Sequence, residues 1–302
     1  MLYKINRFIV LKEVKNDKVI LKTPMDVIEI KSENTGIIIE IINFFKKAAT
    51  IDALINEYNY SDVKELLTNL IDKKILIEES EIDENISNTH SFIQQFANVN
   101  DSKISDITNL NITILGSSHT IYFLTKDLND IGFGKVSSLV IDDGVEEILK
   151  DIYQNKINLL VYFSDTYSLN LVRTINKKCI EHNIPFVLGY FKNLYAVIGP
   201  IIIPNETPCI NCLELRKINN YDFTDLERYY IREYYNLENQ SELYPEYFFK
   251  GVSKLTALEI YKFYLNKRSC NIIGKELEIN LKDYTTRYNK ILYNPQCQIC
   301  ND

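Results

Sequence analysis

The sequence predicts an α/β chain in two parts: an N-terminal winged helix-turn-helix module, then a doubly wound, mostly parallel sheet domain with a structural zinc site. Three observations carry this expectation. The first 80 residues place short β-branched runs ahead of helical periodicity and a closing strand. From Asn111 onward, apolar runs alternate with amphipathic stretches, which is the signature of βαβ units. Two Cys-x-x-Cys pairs, Cys209-Ile-Asn-Cys212 and Cys297-Gln-Ile-Cys300, supply four thiolates at the spacing of a tetrahedral metal site.

In the first part, Phe8–Lys12, Val19–Lys22 and Val27–Lys31 read as strands separated by the turn-like stretches Val14–Asp17 and Thr23–Asp26. Asn34 or Thr35 caps a helix reaching Lys47, with Ile37, Ile38, Ile41, Ile42 and Phe45 on one face. A short helix follows from Thr50 to Glu57. A third opens at Ser61 with acidic residues in its first turn and runs to Lys74. Ile75–Glu78 closes the module at residue 80. Along the third helix, Val63, Leu66 and Leu70 form the expected core line, and Lys64, Leu67, Thr68 and Ile71 the expected outward line. Charges in the module nearly balance, and Asp62, Glu65 and Asp72 accompany Lys64, Lys73 and Lys74. A helix entering a major groove needs a more basic face, which argues against nucleic acid. The alternative is a guest peptide strand added beside an open sheet edge.

Residues 81–108 are rich in Glu, Asp, Asn and Ser without a clear period and read as a linker, with Phe92, Ile93 and Phe96 able to dock a short helix. The domain spanning 109–302 follows. Strands are expected at Asn111–Leu115, Val136–Ile141, Asn158–Phe163 and Pro185–Gly189. Helices are expected at Thr120–Ile131, Val145–Gln154 and Ser168–His182. A strand region at Tyr195–Pro204 leads to the first cysteine pair. A Tyr-rich helical stretch Asp225–Phe249, a helix Val252–Asn266, and strands at Asn271–Leu281 and Tyr284–Tyr293 lead to the second.

Composition bounds the function. With 46% apolar and 25% charged residues in 302, the chain can bury a substantial core, and a net charge of −7 disfavours general nucleic-acid binding. The longest apolar runs fall short of a membrane span, and MLYKINRFIV lacks the features of a secretory signal. Metal-spaced thiolates without a signal indicate a reducing cytoplasm. A disulfide pair or free redox thiols are the competing readings of the two knuckles. Cys179 and Cys270 read as buried apolar fillers, and His90, His119 and His182 are dispersed without metal spacing.

The string from Gly199-Pro200 to Pro208-Cys209-Ile-Asn-Cys212-Leu-Glu-Leu-Arg216, with Asn294-Pro-Gln-Cys-Gln-Ile-Cys300, resembles the E1-like superfamily of ThiF, MoeB and ubiquitin-activating enzymes. More closely it resembles the ThiF-like proteins of thiazole- and oxazole-forming ribosomal-peptide clusters. Phe163-Ser-Asp165, Arg173, Asn176, Cys179 and Ile184-Pro185 resemble the stretch upstream in that superfamily. The N-terminal module is similar in layout to the PqqD-type element that holds precursor leader peptides. The resemblance implies a four-cysteine zinc site, a homodimer, and an ATP site after the first strand of the sheet. That last implication meets departures here. The turn Leu115-Gly116-Ser-Ser-His-Thr120 holds one glycine where phosphates need several. Asp165 matches the family's metal-binding aspartate, but Thr166 follows it instead of asparagine. Asp142-Asp143 is not followed by the family's Asn-Leu-x-Arg string. Gly116 and Asp165 therefore read as vestiges, and ATP is not expected as a cofactor.

The function expected is a scaffold. Val27, Ile28, Glu29, Ile30 and Lys31 would pair with a precursor leader peptide, and Lys64, Leu67, Thr68 and Ile71 would seat its side chains. The second domain would present the peptide to a separate YcaO-type cyclodehydratase. The competing readings are an E1-like adenylating enzyme acting on a peptide or carrier-protein C-terminus, and a zinc-stabilised DNA-binding regulator.

Overall fold

The computed structural model describes residues 1–6, 9–14, 18–22, 27–32, 35–58, 63–73, 75–78, 89, 92–93, 106–141, 157–192, 194–220 and 244–300. It divides into two compact units, Met1–Asp101 and Ser102–Asp302.

In the first unit, β1 (Tyr3–Ile5) pairs antiparallel with β5 (Leu76–Glu78), Tyr3 opposite Glu78 and Ile5 opposite Leu76. Strands β2 (Val10–Val14), β3 (Lys18–Lys22) and β4 (Val27–Lys31) form a three-stranded antiparallel sheet in the order β2-β3-β4. The pleat sends Val19 and Leu21 of β3 fully inward, as period-two alternation requires. Three helices follow: α1 (Thr35–Phe44), α2 (Ile51–Tyr58) and α3 (Val63–Asp72). Thr50 caps α2, its Oγ1 accepting the Ala53 N–H at 3.1 Å. Ile38, Ile41, Ile42, Phe45, Leu54, Val63, Leu67, Leu70 and Ile75 pack with the β3 residues into one core. The strand β1 is not foreseen in the sequence, since three residues are too short for alternation to register.

The second unit is built on a seven-stranded sheet of β6 (Asn111–Gly116), β7 (Lys135–Val140), β8 (Leu159–Ser164), β9 (Phe186–Lys192), β10 (Tyr195–Ile202), β11 (Lys275–Asn280) and β12 (Thr286–Lys290). The order is β12-β11-β10-β9-β8-β6-β7. Strands β7, β6, β8 and β9 pair in parallel, and β9-β10, β10-β11 and β11-β12 pair antiparallel. Because β11 opposes β10, which opposes β9, β11 runs with the parallel group, so β10 and β12 alone run the other way. Every residue of β8 is buried, as befits a strand covered on both faces.

Helix α4 (Ser118–Ile131) follows β6 and ends at Gly132. There a φ of 106° lets the glycine N–H bond back to Leu128 O and Asn129 O. Helix α5 (Leu169–Glu181) buries Leu171, Val172, Ile175 and Cys179 against β8 and β9 residues. Helix α6 (Ile210–Asn220) carries Cys212 and begins directly after Cys209, and α7 (Glu246–Leu265) packs along α4. Asp127 of α4, nearly buried, accepts hydrogen bonds from Ser253 and from Lys254 Nζ (2.8 Å for the lysine), fixing the two helices together. The expected helix Val145–Gln154, most of the linker, and the Tyr-rich stretch up to residue 243 lie outside the described residues. Among the described residues, no helix is long and apolar enough to cross a membrane.

Candidate functional site

In an open α/β sheet, ligands bind outside the carboxyl ends of the strands where the winding reverses. Here β6 leads to β7 on one side and the chain then crosses to β8 on the other, so the reversal falls between β6 and β8. Gly116 ends β6 and Asp165 follows β8 at this point. A Cβ on Gly116 would lie 1.8 Å from Phe163 O and 2.8 Å from Ile121 Cγ2, so strand packing is sufficient to require the glycine. Thr120, in the first turn of α4, donates its hydroxyl to the same Phe163 O at 2.8 Å. The helix start is thereby tied to the end of β8.

Asp165 is 2% exposed and pairs with His119 Nε2 at 3.0 Å. The His119 ring stands edge-on to Phe249 of α7, centroids 5.0 Å apart, and Phe249 stands edge-on to Phe191 at 4.9 Å. Tyr244 closes the group, 5.0 Å from Phe191. The buried carboxylate is met by the protein's own imidazole, and that imidazole, itself about half exposed, lies against the aromatic cluster through Phe249. Nearby, burial pushes the Tyr162 hydroxyl up to about 12, partly offset by its bonds at residues 164–168, including donation to Thr166 O at 2.7 Å. Thr120 and His119 thus link the turn after β6 to the end of β8. The His119–Asp165 pair escapes a reading of the sequence, in which His119 is a dispersed histidine without partners; two residues 46 positions apart give no local signal. Asp142 and Asp143 are the other acidic residues expected near this point, and both lie outside the described residues.

The four cysteines converge as the spacing predicts. All four sulfurs lie within 4.8 Å of one another, with Cys209, Cys212 and Cys297 buried. Cys209 Sγ is 3.5 Å from Cys297 Sγ, and Cys212 Sγ is 3.3 Å from Cys300 Sγ. These separations exceed a disulfide bond of about 2.05 Å and approach the roughly 3.8 Å edge of a tetrahedron with metal–sulfur bonds of about 2.3 Å. Burial, with neighbouring sulfurs, pushes the Cys209 thiol up to about 12. Burial also raises Cys297, but hydrogen bonds from Asn211 and from the backbone of Ile299 and Cys300 outweigh it and bring that thiol down to about 6. Crowded buried sulfurs of this kind suit a divalent cation, which would compensate their negative charge. Two further ties brace the cluster. Asn176 Oδ1 accepts the Ile210 N–H at the start of α6 (3.3 Å), and Arg216 clasps the Leu292 and Tyr293 carbonyls (3.0 Å to Leu292).

In the first unit, β4 lies at the end of its sheet among the described residues. Val27, Glu29 and Lys31 are exposed, and Ile28 and Ile30 pack partly into the core. Lys18 Nζ pairs with Glu29 at 2.9 Å, and this hydrogen bond lowers the Glu29 carboxyl below its usual range. On α3, Lys64 and Thr68 face outward and Ile71 is half-buried. Leu67 corrects the expectation: it is 1% exposed, in the core with Val63 and Leu70, while Leu66 is the half-buried residue. The inward line runs i, i+4, i+7 instead of i, i+3, i+7, so Leu67 holds the helix down and does not line its outer surface.

No family model and no curated protein matches the sequence. Solved structures do. A heterocyclase in complex with substrate and cofactor is 18% identical over 99% of this chain and 39% of its own, with a TM-score of 0.76. The heterocyclase TruD is 17% identical over 99% of this chain and 42% of its own, with a TM-score of 0.77. MccB from E. coli with ATP is 17% identical over 99% of this chain and 100% of its own, with a TM-score of 0.68. The chain shares the fold of these proteins along its whole length, and it spans about two-fifths of the heterocyclases.

Proposed function

We propose that this chain is a peptide-binding scaffold of ribosomal-peptide modification. Its first unit, a winged helix-turn-helix in layout, captures the leader of a precursor peptide as a strand added along β4, Val27–Lys31. Lys64, Thr68 and Ile71 of α3 contact the leader's side chains. Its second unit presents the peptide to a separate cyclodehydratase of the YcaO type, raising effective concentration at that enzyme. The observation that supports the non-catalytic half of this reading is that Asp165, buried at the reversal point between β6 and β8, is paired with the chain's own His119, whose ring lies against Phe249. Support for the peptide half comes from the fold shared with a heterocyclase bound to its substrate, of which this chain matches 39%. The remaining length of that protein is what a separate partner would supply. The cysteine cluster holds zinc, which suits four thiolates in a closed site. The protein acts in the cytoplasm, as a homodimer.

Fluorescence anisotropy with labelled candidate leader peptides tests the reading. Binding tighter than about 100 μM, corresponding to roughly −5.5 kcal/mol, is expected. No binding by the peptides of the same gene neighbourhood overturns it.

A second reading rests on the likeness to MccB, which matches over its entire length and is described with ATP. In it the chain adenylates a peptide C-terminus. Robust ATP–pyrophosphate exchange would establish that reading against the scaffold.

A further inference from the structure

The two cysteine knuckles exchange hydrogen bonds across the cluster. Asn211, a spacer residue of the first, places Nδ2 3.4 Å from Cys297 Sγ of the second. In return, the backbone N–H of Asn294 reaches Cys212 Sγ at 3.4 Å. A thiolate accepts and cannot donate, so the Asn211 amide must present its nitrogen. Four thiolates around a dication leave two negative charges in a mostly buried site, and N–H donors to sulfur spread that excess. Of these two cross-knuckle donors, only that of Asn211 comes from a side chain. Its approach is set by the helix that carries it. The Ile210 N–H is bound by Asn176, and Arg216 holds the Leu292 and Tyr293 carbonyls just ahead of the second knuckle.

We infer that Asn211 is a positioning residue for the metal, holding Cys297 in ligating geometry and joining the two knuckles before and after the ion binds. This rests on the reading above that the cluster holds zinc. Asn211→Ala removes the donor. Asn211→Asp keeps the shape and turns a donor into an anion facing a thiolate. Asn211→Gln keeps the amide on a longer arm.

The test is equilibrium competition of the zinc-loaded full chain against a chromophoric chelator, with cobalt(II) substitution as a second readout and far-UV circular dichroism as the check on folding. The expected result is a zinc affinity lowered by about tenfold to a hundredfold in Asn211→Ala, the usual scale for losing an outer-sphere partner. Asn211→Asp should lose more, Asn211→Gln less, and the sulfur-to-cobalt charge-transfer band should shift in the first two. Affinities within about twofold of the parent in both Ala and Asp variants, with superimposable cobalt spectra, overturn the inference. Should the Ala variant fail to fold, the ranking of Asp against Gln decides, since both preserve the bulk of a half-buried side chain. A parent protein that takes up no zinc or cobalt refutes the metal reading itself, a result distinct from equal affinities among loaded proteins.

Discussion

Gly116 separates a packing requirement from a phosphate-binding one, because an alanine there has a calculable consequence. The added Cβ would sit 1.8 Å from Phe163 O, about half the ~3.5 Å optimum of a non-bonded heavy-atom contact. Phe163 belongs to β8, whose residues Leu159–Tyr162 pair in parallel with Ile112–Leu115, so relief demands that two central strands part by more than about 1 Å. Neither strand has slack, since both are buried between layers. The cost should reach or exceed the upper end of the ~1–3 kcal/mol typical of overpacking. Gly251 supplies the opposite case: it lies within α7, and a Cβ there meets nothing within 4 Å. Gly251→Ala should stabilise by about 0.5–1 kcal/mol through helix propensity. Urea unfolding followed by circular dichroism reads both changes. Gly116→Ala within about 0.5 kcal/mol of the parent would refute the packing argument and return Gly116 to the ligand contacts.

Other outcomes follow from burial and charge. Leu67→Ala should cost about 2–5 kcal/mol in the stability of the first unit, as for a fully buried leucine, whereas Thr68→Ala should stay within about 0.5 kcal/mol and leave α3 intact; denaturant midpoints check both. On the proposed function, Thr68→Arg then weakens leader binding in anisotropy without shifting the midpoint. Burial pushes the Cys179 thiol well above its ordinary range and Cys270 up to about 12, so both are protonated near neutral pH. They should resist iodoacetamide until denaturant is added, as mass spectrometry of the peptides would record. On the proposed zinc site, stripping the metal with a chelator, or protonating the thiolates by lowering the pH, should loosen the segment around residues 291–300 and raise its hydrogen exchange.

Much of this architecture is legible in the sequence because strong periodicities dominate it. The strand Val27–Lys31 falls where its alternation places it, and most of the strands and helices from Asn111 to Lys290 are anticipated among the described residues. The exceptions are α6, Ile210–Asn220, which the sequence reading does not place, and α7, which is one helix where two segments are expected. The cysteine cluster is legible for a different reason, since a two-residue spacer constrains where sulfurs can point. Leu67 is misplaced by pattern alone because α3 carries leucines at both 66 and 67, and either completes an apolar line with Val63 and Leu70. Which one turns inward depends on what α3 packs against, and only the folded unit contains that information. The His119–Asp165 contact is hidden more deeply, because it exists only once β6 and β8 lie side by side. The sequence can flag the single glycine in the turn, but not that Phe163 would leave room for nothing larger.

The cysteine cluster also imposes an order on events during synthesis. Cys212 and Cys297 are separated by 85 positions (297 − 212), a stretch that includes α7, β11 and β12. At about 5–20 residues per second, the first knuckle is synthesised roughly 4–17 s before the second. Until then it is an open dithiol with, on the proposed zinc site, half of its ligands. The cluster of four sulfurs can therefore be completed only once residues 297–300 have been made.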